Sequence, residues 1–243
     1  MTTDPPSFKS LPRAAARCIR LALPVLERFF KPDRFIIGCG SALAARWHHR
    51  VSMDVDLFTE SLGETKRLHG AEDKIRAAIA KSCGRPVPVG TTPQHGQIIF
   101  SADATLEWSA VPRLTPEPVP PDSEPISGLR LDSVEEILAQ KLYSRMYLNG
   151  GNLIRDVCDL AWAAKQESPN LLLPAIRAFR SAGFETMLDV LGDIRAQLLP
   201  VNRDRPIGDP ADPHFEFEAL DVLCRHLENL RPPRVQRGRG IQR

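Results

Sequence analysis

Two aspartates separated by a single residue, Asp54 and Asp56, are the side chains of this sequence whose spacing most directly suggests chemistry. They lie in the segment DVDLF, whose apolar residues predict a β-strand over 54–58. Side chains alternate between the two faces of a strand, so both carboxylates would project from the same face. Two like charges held side by side repel each other unless a positive charge lies close by. The spacing therefore predicts that a cation accompanies the pair.

A glycine-rich turn, GCGSAL (38–43), lies about a dozen residues before the aspartates and follows the β-prone run RFIIG. Gly38 and Gly40 would let the backbone approach a ligand closely. We expect a helix over 41–49 with Ser41 at its N-cap, because serine is favoured there. The free N–H groups at a helix N-terminus attract anions such as phosphate. The turn thus predicts a phosphate site beside the two carboxylates.

Carboxylate oxygens are hard ligands that suit Mg²⁺, which typically binds one or two protein carboxylates together with substrate phosphates. A phosphate cradle, a metal ion and positioning groups are the parts that phosphoryl transfer needs. We therefore expect Mg²⁺, with Mn²⁺ as the second metal considered, to bind at Asp54 and Asp56 together with a nucleoside triphosphate (NTP). The competing interpretation of an isolated Asp-x-Asp is a solvated strand edge.

The composition predicts a folded protein of one large domain or two ordinary ones, with 243 residues, 42% hydrophobic residues and a net charge of +2. Five scattered cysteines show neither metal-site spacing nor a disulfide framework, which is typical of reduced thiols. No secretory segment is evident, and no apolar run approaches the roughly 20 residues that span a bilayer. These features predict a cytoplasmic protein without a membrane partner.

The order of predicted elements divides the chain at a proline-rich connector. We expect an α/β core over 1–115, a connector over 116–130, a helical domain over 131–230 and a basic, disordered tail over 231–243. In the core we expect helices at 9–30 and 64–83 and a strand pair at 96–103 and 105–111. Beyond the connector we expect helices at 132–149, 152–166, 170–181, 184–199 and 215–230. The tail has five arginines and no acidic residue, so it is either a solvated terminus or a segment that follows nucleic-acid phosphates.

Two sequence blocks resemble a known family. The first, GCGSAL followed by HRVSMDVDLF, resembles the nucleotidyltransferase superfamily related to DNA polymerase β, and more closely its AbiEii/AbiGii-type branch, the toxins of type IV toxin–antitoxin systems and the related MenT-like toxins. The second block, EEILAQKLYSRMYLNGGNLIRDVCDLAW (135–162), is similar to the family's lysine-bearing helix followed by Arg/Lys-Asp-x-x-Asp-Leu. Cys39 departs from the pattern, because the family usually has a second glycine there.

The resemblance implies an α+β fold with a polymerase β-like core, a small mixed sheet with flanking helices, followed by an α-helical C-terminal half. It also implies the site residues. Asp54, Asp56, Lys141 and Asp156 would be catalytic, and the nucleotide would contact Gly38, Gly40, Ser41, Arg50, Ser52, Lys141 and Arg145. Each residue also has a purely structural interpretation. Lys141 would be a solvated lysine on a helix, Ser52 would carry a loop hydroxyl, and His49 would be a cation at a helix C-cap.

A third carboxylate is expected in this superfamily on a strand next to the two aspartates. Asp103 and Glu107 are the candidates. Asp103 lies in SADAT, a predicted hairpin turn in which aspartate is favoured for local hydrogen bonding. Glu107 lies inside the strand TLEWSAV and would project opposite to Leu106 and Trp108. We favour Glu107 as the third metal ligand, and the alternative interpretation is a solvent-facing strand position.

The motif after the lysine helix leaves the roles of its two aspartates open. By resemblance, Asp156 would orient Lys141 or act near the attacking hydroxyl, and Asp159 would support it from behind. The competing interpretation is that Arg155 and Asp159, four residues apart on a helix, form a surface ion pair worth a few tenths of a kcal/mol.

The expected reaction transfers a nucleoside monophosphate from an NTP to an acceptor hydroxyl; ATP is one expected nucleotide, and the sequence does not select among the NTPs. The resemblance points to RNA, in particular a tRNA 3′ end, and to a toxin with a cognate antitoxin. The alternatives are a small-molecule nucleotidyltransferase of the antibiotic-modifying type, a kinase-like phosphoryl transferase on the same fold, and a non-catalytic binding module.

Overall fold

A six-stranded mixed sheet forms the centre of the protein in a computed structural model that describes residues 11–102, 104–116, 128–148, 154–167, 172–178, 189 and 215–229. Its strands are β1 (Ile36–Ile37), β2 (Val55–Thr59), β3 (Val89–Thr91), β4 (His95–Ser101), β5 (Ala104–Ala110) and β6 (Arg130–Leu131). They are arranged in the order β3-β4-β5-β2-β1-β6. The predicted strand of the two aspartates and the predicted strand pair are both present.

Pairing in the sheet is parallel at two places and antiparallel elsewhere. β2 runs parallel to β5 and β1 runs parallel to β6, whereas β1–β2, β3–β4 and β4–β5 are antiparallel. Parallel neighbours need a long crossover, and between β2 and β5 two helices and the β3–β4 hairpin supply it. The sixth strand begins at the last residue of the predicted connector, Arg130, so the chain beyond the first five strands also contributes to the sheet.

Four helices belong to the N-terminal half: α1 (Arg13–Leu26), α2 (Cys39–Trp47), α3 (Leu62–Gly70) and α4 (Glu72–Cys83). The prediction of one continuous helix over 64–83 was wrong, because the chain breaks between Gly70 and Glu72 and continues as α4. Glycine lowers helix stability at that point. Pro24 lies within the last turn of α1 and does not end it.

The helical half begins with α5 (Val134–Ala139), which continues as a π-helix over Gln140–Leu148. Ser133 caps α5 by accepting a hydrogen bond from the backbone N–H of Glu136. The next helices are α6 (Ile154–Trp162), extended by a π-turn over Ala163–Glu167, then α7 (Leu172–Ala178) and α8 (Phe215–Asn229). Of the helix predicted over 184–199, residue 189 alone is described, and it is helical; the tail lies outside the described residues.

Burial alternates along the central strands and separates the two faces of the sheet. Val55, Leu57, Leu106 and Trp108 are buried, while the residues between them are half-buried. Helices α1 and α3 pack against β5, and α4 packs against β3 and α1, which closes one apolar layer. Helix α2 packs against β2 and α6. The polar residues of β2 and β5 therefore lie on the face opposite to the apolar layer.

This architecture confirms the predicted α+β fold, with a small mixed sheet, flanking helices and a helical C-terminal half. Among the described residues, the longest apolar helical stretches fall short of what is needed to cross a membrane.

Candidate active site

Three carboxylates share the polar face of the sheet. Asp54 immediately precedes β2, Asp56 is its second residue, and Glu107 of β5 lies directly opposite Asp56 in the parallel register. Directly opposed residues on neighbouring strands point to the same face. The register thus brings Glu107 beside the aspartate pair, as the alternation along TLEWSAV predicts. The competing candidate, Asp103, lies outside the described residues.

Burial and mutual repulsion act on two of these carboxylates. Burial raises the pKa of Asp56, and the charge of Asp54 adds to this, while Arg145 and Lys141 pull in the opposite direction. Burial likewise raises the pKa of Glu107, again reinforced by Asp56. A raised carboxyl pKa means that the ionised form is held at a cost. A cation bound between them would relieve that cost.

The turn before α2 is shaped by two close approaches. A side chain at Gly38 would overlap the ring of Phe58, and a side chain at Gly40 would overlap the guanidinium of Arg50. The space over Gly40 is therefore filled by a protein side chain. These glycines have a packing reason in addition to the predicted approach of a ligand.

Cys39 opens α2 with a backbone φ of +50°, in the left-handed region. L-residues other than glycine, asparagine and aspartate rarely adopt this conformation. The side chain is buried at 3% exposure, and burial, reinforced by Asp56, raises the pKa of its thiol. The structure thus gives a conformational reason for the glycine that resembling sequences carry at this place.

Ser41 lies inside α2, two residues after its first residue, so the prediction that it is the N-cap was wrong; Gly38 occupies that position. The Ser41 hydroxyl contacts the Ser52 hydroxyl at 3.0 Å and donates to the backbone carbonyl of Asp54. These contacts tie the start of α2 to the segment that leads into β2. Both serines are buried.

A buried charge cluster lies behind the carboxylates and joins the two halves of the chain. Lys141, with 0% exposure, forms ion pairs with Asp156 and, at 3.0 Å, with Asp159. Arg145 lies 3.3 Å from both oxygens of Asp156. Burial alone would lower the pKa of Lys141, but the two aspartates outweigh it and raise the pKa. Lys141 is therefore not a solvated helical lysine.

The second part of the cluster fastens the loop after α2. Arg50 donates to Asp159 through Nε at 2.7 Å and Nη2 at 2.8 Å, and His49 Nε2 lies 2.6 Å from the same carboxylate. Burial would raise the pKa of Asp159, but Arg50 and Lys141 hold it well below its usual range. The third nitrogen, Nη1, donates to the carbonyl of Val51 at 3.3 Å. The prediction that Arg50 contacts the nucleotide gains no support from this engagement.

His49 is not a C-cap of α2, because that helix ends at Trp47 and His48 takes the left-handed capping conformation. The interpretation of Arg155 and Asp159 as a surface ion pair was also wrong. Asp159 is fully buried among Arg50, His49 and Lys141, and Arg155 Nη1 lies 3.7 Å from Asp54 Oδ2. Asp156 is paired with Lys141, as one of its two predicted roles requires.

The donor set fits a hard divalent cation in chemistry, because three carboxylates supply only oxygen ligands. Asp56 of β2 and Glu107 of β5 lie side by side, and Asp54, just before β2, is near enough for its charge to raise the pKa of both. In the part of the chain that the structure describes, no three acidic, histidine or cysteine side chains are already gathered tightly enough to hold a metal. A divalent cation at this face would be held by Asp54, Asp56 and Glu107.

Two contacts of the site carried no signal in the sequence. Asp159 meets its partners 109 and 110 positions away, and Arg155 meets Asp54 across a similar separation. Helical spacing relates residues three or four apart, so it could not pair either of them with a residue before the connector. Only the position of α6 against α2 reveals these pairs.

Comparison with known proteins is consistent with this architecture. The family model described as "Nucleotidyl transferase AbiEii toxin, Type IV TA system" matches residues 22–205, which is more than half of the chain. No curated protein matches the sequence.

Two solved structures are similar to this one. A crystal structure of a provisionally assigned nucleotidyltransferase from H. pylori is 17% identical, with a TM-score of 0.49 over 91% of this chain and 100% of that chain. MenT4, a nucleotidyltransferase toxin from Mycobacterium tuberculosis, is 18% identical, with a TM-score of 0.45 over 90% of this chain and 86% of that chain. Similarity at this level assigns no residue and no substrate.

Proposed function

The chain belongs to the AbiEii family of nucleotidyltransferase toxins of type IV toxin–antitoxin systems, and on that premise we propose that it transfers a nucleoside monophosphate from an NTP to a hydroxyl of RNA, most specifically a tRNA 3′ end, with Mg²⁺ at Asp54, Asp56 and Glu107. Enzymes of this class take an NTP as substrate and use a divalent metal, and the family implies a cognate antitoxin. The choice of RNA and of Mg²⁺ is the further step.

The observation that carries the proposal is the register of β2 with β5. It sets Glu107 opposite Asp56 on the neighbouring strand, and the charge of Asp54, just before β2, acts on both carboxylates. Three neighbouring carboxylates on one sheet face are costly to hold ionised without a cation, as the raised pKa values of Asp56 and Glu107 express. The cost makes sense if the face exists to hold a divalent ion.

In this reaction the acceptor hydroxyl attacks the α-phosphorus in line, a new P–O bond forms, and pyrophosphate leaves as the bond between the α- and β-phosphates breaks. The proton of the hydroxyl passes to a carboxylate of this face, which must lie within hydrogen-bond reach of it. When bound, a divalent cation supplies positive charge at the phosphate oxygens.

Arg145 and Lys141 are the cations suited to stabilise the negative charge of the leaving pyrophosphate. Arg145 is one-third exposed, whereas Lys141 is fully enclosed by Asp156 and Asp159. We therefore assign direct contact with the phosphates to Arg145. Lys141 would act at a distance, because its charge reaches Asp56 without contact and lowers the pKa of that carboxyl. Charges fixed in a water-poor site stabilise charge that develops in the transition state without reorganising.

The decisive experiment supplies each NTP in two labelled forms, at the α- and at the γ-phosphate, with Mg²⁺ and total RNA. Transfer of the α-label to RNA in the tRNA size range supports the proposal. Transfer of the γ-label would instead indicate a kinase. In a parallel reaction that contains an aminoglycoside, labelling of the aminoglycoside and not of RNA would indicate the small-molecule alternative. Absence of transfer with every NTP would overturn the proposed activity.

Matched variants tie the activity to the carboxylates. Asp54→Ala and Asp56→Ala should each lower transfer at least about 10²-fold, because losing one stabiliser of transition-state charge costs that much. Glu107→Gln should lower it similarly while raising thermal stability in metal-free buffer, because one of three mutually repelling charges is removed. Asp73→Ala on α4, exposed and away from this face, should leave activity unchanged. Undiminished activity in both aspartate variants would contradict the metal assignment.

A further inference from the structure

Arg155 is the one cation of the described site that contacts Asp54. Its Nη1 lies 3.7 Å from Asp54 Oδ2, and both side chains are 36% exposed. A separation of 3.7 Å is longer than a hydrogen bond, so the pair is held by charge alone. Such half-exposed pairs are weak and exchange readily. Arg155 therefore rests beside Asp54 without being locked there.

The position of Arg155 on its own helix is electrostatically unfavourable. It lies in the first turn of α6, next to Asp156. The N-terminus of a helix carries partial positive charge, which favours acidic residues and disfavours cations. Asp156 follows that preference and Arg155 contradicts it. The contradiction is explained if Arg155 serves the carboxylates opposite it and not the helix.

The two aspartates have separate internal cations. Arg145 and Lys141 act most strongly on Asp56, whereas Arg155 contacts Asp54. Lys141 and Arg145 are held by ion pairs with Asp156, so they stay in place. Among the described residues, the weak contact with Asp54 is the one ion pair that Arg155 makes, so Arg155 is the cation that can move.

We propose that Arg155 is an exchangeable counter-cation: it neutralises Asp54 in the metal-free protein, yields that carboxylate to the divalent ion, and then binds the triphosphate of the NTP. This inference rests on the proposed function. A divalent ion at Asp54 repels the nearby guanidinium, and the polyphosphate that arrives with the metal offers it four or more negative oxygens. Arginine suits this partner because its planar fork binds phosphate in a bidentate manner.

The exchange predicts opposite effects on metal and nucleotide, which a merely structural arginine would not produce. We would titrate the chelator-treated full-length protein with MnCl₂ and measure free Mn²⁺ by electron paramagnetic resonance, without nucleotide. Arg155→Gln should bind Mn²⁺ about twofold to fivefold more tightly than the wild type, since a competing ion pair of this kind has been removed. The same variant should show an NTP KM on the order of tenfold higher.

Two further variants separate charge from shape. Arg155→Lys should restore the Mn²⁺ affinity of the wild type, because the charge beside Asp54 is kept, and only part of the NTP affinity, because the fork is lost. Arg67→Gln removes the same charge from α3, where Arg67 is 59% exposed and pairs with Glu64. It should change neither the Mn²⁺ affinity nor the KM.

The outcomes distinguish this inference from the proposed function. If the wild type binds Mn²⁺ and Asp54→Asn abolishes the binding, the metal site stands; equal or weaker Mn²⁺ binding by folded Arg155→Gln then overturns the exchange alone. An unchanged KM in that variant also overturns it. If the wild type binds no Mn²⁺, or binds it equally well after Asp54→Asn, both the metal assignment and the exchange are overturned.

Discussion

At the scale of single residues, the site holds carboxylates whose ionised forms are destabilised by burial. Asp56 and Glu107 have pKa values raised first by burial, and Cys39 occupies a backbone conformation that suits glycine. Strain and uncompensated charge concentrate at functional sites, where the surrounding structure over-determines them. On the polar face of β2 and β5, a substitution that removes a charge is therefore expected to lower activity without lowering stability. In the apolar layer behind it, substitutions are expected to lower stability.

Substitutions of Cys39 should be ranked by backbone conformation. Cys39→Gly should change the free energy of unfolding by less than about 1 kcal/mol, because relief at φ +50° offsets the loss of a small buried side chain. Cys39→Val should be less stable by about 2 kcal/mol, since a β-branched residue is a severe outlier there. Urea denaturation measures both. Cys18→Val, the same change at a buried position of α1 without positive φ, is the control, and equal costs for the two valine variants would refute the strain.

Lys141→Met should weaken both folding and catalysis. The free energy of unfolding should fall by about 3 kcal/mol, the lower end for a broken buried ion pair, because Arg50 and Arg145 remain beside the two aspartates. Turnover, measured at a temperature where circular dichroism shows a folded variant, should fall on the order of 10²-fold. Lys141→Arg should keep partial activity, because it keeps the charge in a tighter fit.

The matched control is Lys74→Met on the exposed face of α4, which should lie within about 0.5 kcal/mol of the wild type. If Lys141→Met matched the wild type in stability and turnover, Lys141 would have no role in the site, and the connection between the two sequence blocks would be lost.

At the scale of elements, α6 braces the site from behind. Its Asp156 holds Lys141 and Arg145 of the π-helix, and its Asp159 holds Arg50 of the loop that leads into β2. That loop also carries Ser52, which meets Ser41 of α2. One helix thus fixes the positions of two elements that border the carboxylates. The packing of α6 against these elements depends on the ionised carboxylates of Asp156 and Asp159, and therefore on pH.

The charge cluster should make the fold acid-sensitive below about pH 4. The folded-state pKa values of Asp156 and Asp159 lie below the ordinary value of 3.8, because Lys141, Arg145 and Arg50 outweigh burial. A depressed carboxyl pKa contributes stability that is complete above the unfolded value and is lost as the pH falls towards the folded value. Urea denaturation at pH 7, 5, 4 and 3 should therefore show a steep loss at the acidic end.

Asp159→Asn tests the source of that loss. The variant should be less stable at pH 7 by about 3–5 kcal/mol, because Arg50 and Lys141 lose a buried partner. Its stability should also fall less between pH 5 and pH 3 than that of the wild type. Asp73→Asn, at an exposed position on α4, should keep the profile of the wild type. A parallel profile for Asp159→Asn would show that Asp159 is not the titrating group.

At the scale of the whole molecule, the site exists only where the two halves of the chain meet. The carboxylates come from before the connector, the charge cluster comes mostly from after it, and β6 joins the sheet from the far side. The chain continues to a basic terminus over 231–243, with five arginines and no acid, which lies outside the described residues. If RNA is the acceptor, this segment is suited to follow its phosphates.

Deleting residues 231–243 should weaken RNA binding and flatten its dependence on salt. Each lost phosphate contact removes about 0.7 from the slope of log K against log salt for single strands, so five arginines account for up to about 3.5. Filter binding of tRNA at several salt concentrations measures the slope. Replacing the five arginines by glutamine at constant length should reproduce the deletion, and an unchanged slope in both would mean that the tail takes no part.

The sequence alone determined the class of fold and the chemical types at the site. Strand alternation predicted that Asp54 and Asp56 share a face and that Glu107 projects opposite to Leu106 and Trp108, because a period of two follows from backbone geometry alone. The resemblance of two blocks predicted the family that the family model confirms. A local rule sufficed for the strand faces because it acts between residues close in the chain, whereas the family was predicted from the resemblance of the two blocks.

Only the tertiary structure decided which side chains meet. The parallel register that sets Glu107 against Asp56, the enclosure of Lys141 by Asp156 and Asp159, and the contact between Arg155 and Asp54 all depend on how distant elements pack. A helical position does not reveal whether its charge is solvated or buried, and the sequence around Arg50 does not reveal that its guanidinium donates to Asp159. Ion pairing in a folded chain is a property of three-dimensional proximity, and sequence spacing carries no information about it across the connector.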